Sequence, residues 1–389
     1  MAIESVLYYS SVNIDLPNGP GVNELEFTEA LGREYGAKCK CIAVSRMTRP
    51  HLVGVAPSIL PKPLNRLSQQ FRTLIKIAGV IKQLKANIIV VRVSYLPWDI
   101  AILATFLKVP LVVKTAGLAS QGLERKGGWR YLVQRLLGSV DERLYGYVLK
   151  RAIAIDACTK EIITQIANKY PGIVGKIKHI DNATNTDSFY PREKSKCKEH
   201  FGLAEFDYLV GYIGGLPSER GAAELVEIAA HLKGVPEKIG FVIVGDDPGI
   251  SHVKDRARVL DVTEYVKFLG EIPYSEVPAV AAALDVGIAL DATEKLSKTG
   301  NSNQKVRQYI ASGVPAITIG SGQDFINKMN LGEIIDDKDT RKLADLVYHW
   351  MRNEKYDPKS AVVYAVKYLS TRSALRKRIE FWSNRLGGL

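Results

Sequence analysis

Short β-branched runs alternate with helix-period segments from one end of this chain to the other, and no other feature limits its fold as much. The runs fall at residues 5–10, 39–44, 88–93, 111–114 and 152–157, then at 208–213, 240–244, 265–269, 286–290 and 316–319. Helical patterns such as 24–35 and 222–232 lie between them. Strand, helix and strand in repeated order predict parallel sheets with helices packed on them. At 389 residues the chain exceeds what one core accommodates, so two such domains are expected. Turn formers crowd 181–191 and charges crowd 192–200, which sets the boundary near residue 190. The first α/β domain then covers 1–190 and the second 191–360. The stretch 358–384 reads as helical and basic, and residues 361–389 are expected to pack back on the first domain.

Charge divides the same way. Residues 1–190 carry 25 Lys and Arg against 14 Asp and Glu, whereas the remainder has 28 against 27. Nearly all of the net +12 therefore belongs to the first half, as a solvated surface or as the face for an anionic partner. No stretch approaches the roughly 18 uninterrupted apolar residues of a membrane span. The first residues, MAIESVLYYSSVNI, lack a basic flank and read as a strand rather than a leader. Cys39, Cys41, Cys158 and Cys197 are scattered, lack the spacing of a metal or redox pair, and are expected to be reduced thiols of a cytosolic protein.

The most informative segment is NSNQKVRQYIASGVPAITI, residues 301–319. Ser302 or Asn303 can cap a helix that Gly313 and Pro315 end, before a β-branched strand. Its first amides, with Gly300 and Asn301, would form an end suited to phosphate. Glycines stand at further strand ends. Gly214 and Gly215 follow one run, Gly245 another and Gly270 a third, while Gly19 and Gly21 precede the first helix. In doubly wound sheets ligands bind beyond such ends. For Gly19–Gly21 an ordinary turn between strand and helix is an equal reading.

From Tyr208 onward the order YIGGLPSERGAAELVEIA, FVIVGDD, VKFLGEIPYSEVPAVAAALDVGIAL and KVRQYIASGVPAITI resembles the donor domain of retaining GT-B glycosyltransferases, particularly glycosyltransferase family 4. HIDNATNTDSFYP resembles that family's interdomain segment, and KTAGL a strand end that commonly reads TxHG. The resemblance implies two Rossmann-like, doubly wound domains facing across a cleft, with a nucleotide-diphosphate sugar held mainly by the second. It places the base near Gly270, Glu271 and Ile272. Arg220 matches the basic residue of the family's xKG motif and would grip the diphosphate bidentately, although on position alone it is a helix-start arginine. Lys305 matches the lysine of the KLxEY form, and Lys298 is a further cation for the leaving group. Gly215, Asn301, Ser302, Asn303 and Gln308 complete the donor set, with Gly19 and Gly21 facing it. Four positions depart from the family pattern. Gly300 and Gln308 replace two carboxylates, Gly215 an arginine and Ala116 the histidine of TxHG. Gln308 keeps hydrogen-bonding capacity without charge. The family's mechanism implies front-face transfer with retention, in which a donor phosphate oxygen takes the acceptor proton. No metal ligand set stands out, so transfer without metal or other cofactor is expected.

The acceptor falls to the first domain. Leu60, Leu64, Leu67, Phe71, Leu74, Ile75, Ala78 and Ile81 recur at helical spacing with Arg66, Arg72, Lys76 and Lys82 between them, and residues 125–131 mix basic with aromatic side chains. A stripe like that of residues 60–84 usually faces a core; both stretches also resemble helices that lie in a membrane interface. Taken with the basic half, this gives a cytoplasmic enzyme held at the inner face of an anionic membrane through residues 60–84 and 123–135. Its acceptor would be a lipid-linked saccharide in bacterial surface polysaccharide assembly. Three other readings stand beside this one. An epimerase of the same fold would want histidines and carboxylates around the sugar, and a degenerate GT-B scaffold would bind nucleotide without turnover. A nucleic-acid binder would need a motif that the spread basic residues do not form.

Overall fold

The computed structural model describes residues 2–16, 18–60, 64–93, 96–116, 129–215, 221–246, 249–291, 296 and 299–388, with main chain alone at 129–136. The chain forms two compact units, residues 1–181 with 374–389 and residues 182–373. The first contains β1 (Val6–Asn13), α1 (Gly19–Tyr35), β2 (Cys39–Val44), β3 (Leu52–Val55), α2 (Leu64–Leu84), β4 (Ile88–Arg92) and α3 (Trp98–Phe106). It continues with β5 (Leu111–Thr115), α4 (Trp129–Arg151), β6 (Ala154–Ala157), α5 (Lys160–Lys169) and β7 (Ile177–His179). Its strands form one parallel sheet in the order β3-β2-β1-β4-β5-β6-β7.

The second unit contains α6 (Lys194–His200), β8 (Tyr208–Ile213), α7 (Ala222–Leu232), β9 (Ile239–Val244), α8 (Ile250–Val259), β10 (Val266–Gly270), α9 (Val277–Ala283) and β11 (Val286–Ala289). There follow α10 (Gln304–Ala311), β12 (Ala316–Ile319), α11 (Phe325–Lys328), β13 (Gly332–Ile335), α12 (Thr340–Met351) and α13 (Pro358–Tyr364). A π-helical turn at Ala365–Leu369 leads into α14 (Thr371–Gly387), which carries the chain back into the first unit. The second sheet is also parallel, in the order β10-β9-β8-β11-β12-β13. Both sheets are buried on two faces, so their strands read as continuous apolar runs. In the first unit, helices α2 to α5 cover one face, while α1 and α14 cover the other through Phe27, Leu31, Leu375 and Trp382.

Two boundaries differ from the sequence reading. The units divide after Asp181 rather than near 190, because the next residues are held by the second unit. Asn182 donates to Ser302, Thr184 exchanges main-chain bonds with Leu369 and Thr371, and Phe189 is buried in that core. Of the closing segment only 374–389 joins the first unit, since Ala361, Ala365 and Leu369 are core residues of the second. All four cysteines are buried thiols.

Candidate functional site

In the second sheet the strand order reverses between β8 and β11, the switch point beside which open α/β sheets take their ligands. The neighbouring strands β10, β9 and β8 end on a row of glycines. Gly270, Gly245 and Gly214 have φ of 67°, 131° and 139°, values that favour glycine. They are tied edge to edge, Gly214 N–H donating to the Val244 carbonyl at 2.9 Å and Gly245 N–H to the Gly270 carbonyl at 2.8 Å. Among the described residues no atom lies within 4 Å of where a Cβ on Gly270 would stand. Glu271 is exposed just beyond it, and Ile272 packs on the core.

Lys305, in the first turn of α10, lies over this strand end. Its Nζ is 3.9 Å from the centroid of the Tyr212 ring, and a Cβ on Gly214 would stand 3.1 Å from it. The cation is therefore set against a ring face and a bare backbone turn. Tyr212 is buried, and its hydroxyl donates to the Gly215 carbonyl at 2.6 Å, which fixes both the ring and the turn. Asn303 is the helix cap, its Oδ1 accepting the Lys305 N–H at 3.2 Å. Ser302 binds Asn182 instead: its Oγ accepts the Asn182 N–H and its carbonyl the Asn182 amide. Asn301 is buried with its amide donated to Ile319 and Thr318, so it anchors the loop to β12. Gln308, also buried, donates to the Tyr274 hydroxyl at 3.4 Å. The structure thus gathers Gly215, Asn301, Ser302, Asn303, Lys305 and Gln308 around α10, and adds Tyr212 and Tyr274, to which the sequence reading gave no role. Arg220 and Lys298 lie outside the described residues. Among the described residues no group of three or more His, Cys, Asp or Glu side chains could hold a metal ion.

In the first unit, α1 starts at Gly19. Asn18 caps it by accepting the Gly21 N–H at 2.9 Å. Gly21 has a local reason to be glycine, since a Cβ there would lie 2.3 Å from the Leu16 carbonyl, whereas a Cβ on Gly19 would meet nothing within 4 Å among the described residues. Behind this turn lies a buried charge cluster with no counterpart in the sequence reading. Glu24 Oε1 accepts from Arg92 at 2.7 Å and from Lys114 at 2.6 Å, and the Tyr8 hydroxyl donates to its other oxygen. Burial pushes the Glu24 carboxyl up, but the Lys114 and Arg92 cations outweigh that and hold it well below the ordinary range. Asp156 on β6 has Arg378 of α14 at 3.4 Å, and there burial prevails and raises the carboxyl. The visible signal was a charge inside an apolar strand, Lys114 in LVVKT and Asp156 in AIDA.

Helix α2 is the third notable feature. Phe71 and Ile75 are each 60% exposed while Gln70 is 1% exposed, so an apolar row faces outward, and Gln69, Gln70 and Thr73 turn inward beside the buried Ile77. The polar face is satisfied. Gln69 donates to the Val55 carbonyl, Gln70 donates to the Leu96 carbonyl and Asp99, and the Trp98 indole donates to Gln70. Leu60, Leu64 and Leu67 continue the exposed row; Leu74 and Ile81 pack partly on the core. Residues 123–128 of the second basic stretch lie outside the described residues. Among the described residues no helix is long and apolar enough to cross a membrane.

Comparison with known proteins relates part of the chain to one family model and nearly all of it to known folds. Residues 207–353 match the family model described as Glycosyl transferases group 1. The chain is similar to the 2-deoxystreptamine glucosyltransferase of Streptomyces kanamyceticus, 27% identical over 179 residues, which are 45% of each chain; the match thus spans under half of that curated relative. Among solved structures it is similar to Anabaena HepE in complex with UDP-glucose, with TM-score 0.68, 15% identity and coverage of 98% and 99% of the two chains. It is also similar to WaaG, a glycosyltransferase involved in lipopolysaccharide biosynthesis, with TM-score 0.67, 16% identity and coverage of 96% and 98%. The resemblance read in the motifs is borne out at this level, as a group 1 match over most of the second unit and a GT-B fold over the whole chain.

Proposed function

We propose that this chain is a glycosyltransferase that moves a sugar from a nucleotide diphosphate to a saccharide acceptor in glycan biosynthesis. The observation that carries the reading is Lys305, held over Tyr212 and Gly214 where β8 ends at the switch point, in the first turn of a helix capped by Asn303. A leaving diphosphate develops charge, and a fixed cation beside helix amides stabilises it without reorganising water. Arg220 and Lys298 would add charge to the same group. Gln308 and Tyr274 offer neutral hydrogen bonds where the family commonly places a carboxylate, which suits a ribose diol. Transfer needs no metal in this reading and retains the anomeric configuration, with a donor phosphate oxygen accepting the acceptor's proton.

The acceptor is proposed to be lipid-linked and the enzyme to sit on an anionic inner membrane face. Support comes from the outward apolar row of α2, the exposed Lys76 and Lys82 on the same helix, and the basic first half of the chain. The experiment is a thermal-shift panel of nucleotides and nucleotide sugars in EDTA on wild type, Lys305→Ala and Arg220→Ala, since a bound ligand raises Tm by mass action. Stabilisation by one nucleotide diphosphate, weakened in both variants, is expected; no shift with any of them sinks the donor assignment. Gly300 and Gln308 favour one second reading, a nucleotide-binding scaffold without turnover, which nucleotide stabilisation without sugar release would support.

A further inference from the structure

The central strands of the second sheet are joined in an unusual way. β8 pairs with β9 along its full length, from Tyr208 opposite Ile239 to Ile213 opposite Val244. Against β11 it pairs only at Val210 with Val286 and Gly211 with Gly287. Beyond that point a phenol stands between the strands. The Ile213 N–H donates to Tyr309 Oη at 3.1 Å, and the same hydroxyl is 3.4 Å from the Ile288 carbonyl, to which it donates. The ring fits because residue 287 has no side chain: a Cβ there would lie 2.2 Å from the Tyr309 ring. Tyr309 is fully buried, one turn along α10 from Lys305.

We infer that Tyr309 is a positioning residue for the donor site, setting the separation of β8 and β11 and thereby the place of the Gly214–Gly215 turn beneath Lys305. The inference rests on the donor reading of that site. A phenylalanine would fill the same core volume, so packing does not explain the hydroxyl; its two partners are main-chain groups of two different strands. Those strands are the ones whose parting defines the switch point. The helix that supplies Lys305 is therefore also the helix that holds the opposite side of the strand end it reaches over. Tyr356 supplies a contrast in the same unit, because its buried hydroxyl has no hydrogen-bond partner among the described residues.

The test compares full-length wild type, Tyr309→Phe and Tyr356→Phe, with UDP as the probe for calorimetric binding and amide hydrogen exchange read on each protein without ligand. Tyr309→Phe is expected to weaken UDP binding about tenfold, from two lost main-chain bonds. It is also expected to speed exchange locally at Ile213, Gly214 and Gly215 while β12 and the first unit stay protected. Tyr356→Phe is expected to change neither. Faster exchange with unchanged UDP affinity overturns the inference and leaves Tyr309 a core residue, as does unchanged exchange. If wild type ignores UDP, the donor reading for this nucleotide fails on its own. The exchange comparison then still decides whether Tyr309 holds the strand end, and unaltered exchange overturns that too.

Discussion

Two cations and a phenol converge on Glu24, so replacing that carboxylate leaves Arg92 and Lys114 buried without their counter-charge. Glu24→Gln is expected to lower stability by about 3–5 kcal/mol, the usual cost of breaking a buried pair from one side, measured by urea unfolding at pH 7. The pH dependence follows from the sign of the shift. A carboxyl held below its ordinary 4.5 contributes stability that is complete above that value and declines as pH falls beneath it. Asp156, raised by burial, acts in the opposite sense and is common to both proteins. The gap between wild type and Glu24→Gln should therefore narrow below pH 4.5; a gap independent of pH would exclude the ionised form of Glu24. Lys114 announced itself in the sequence as a charge inside an apolar strand. Its partner did not, because Glu24 lies 90 residues away on a helix that carries further glutamates at 26, 29 and 34, and nothing in the sequence singles it out.

Helix α2 shows what periodicity gives and withholds. Residues 64–81 carry a clear helical repeat, and a helix is present over Leu64–Leu84. Which stripe faces the core was not legible, because the answer depends on Val55, Leu96, Trp98 and Asp99 waiting to receive the glutamines. Phe71→Glu with Ile75→Glu is expected to abolish sedimentation with phosphatidylserine vesicles while stability stays within about 0.5 kcal/mol, as for surface changes generally. A large loss of stability would mean that the row is covered by protein. Gln70→Leu should do the reverse, costing about 1–3 kcal/mol by stranding buried groups and leaving vesicle binding alone. Strand recognition followed the same logic. The ten runs read from the sequence all lie in the sheets, and the three strands missed, β3, β7 and β13, are sheet edges. Edge strands need fewer apolar residues, and these are three or four residues long, two of them containing glycine.

For the whole molecule the decisive segment is the last one. Residues 374–389 complete the first unit: Leu375 and Trp382 fill its core, Arg378 reaches Asp156, and Arg385 donates to the Ile153 carbonyl. A chain ending at Ser373 is expected to lose the first unit's calorimetric transition and keep the second's, and Trp382→Ala to cost about 3–5 kcal/mol. Two unaltered transitions in the shortened chain would refute that dependence. A basic helix that returns was legible in the sequence; its entry into the first core was not, since one tryptophan in seventeen helical residues sets no register. The arrangement also orders events on the ribosome. The first unit is translated first, yet one face of its sheet has only α1 to cover it until residues 182–373 have been made and α14 emerges. At ~5–20 residues per second that wait lasts on the order of ten to forty seconds. During it the second unit can finish folding, so the half of the protein that is born first is the half that matures last.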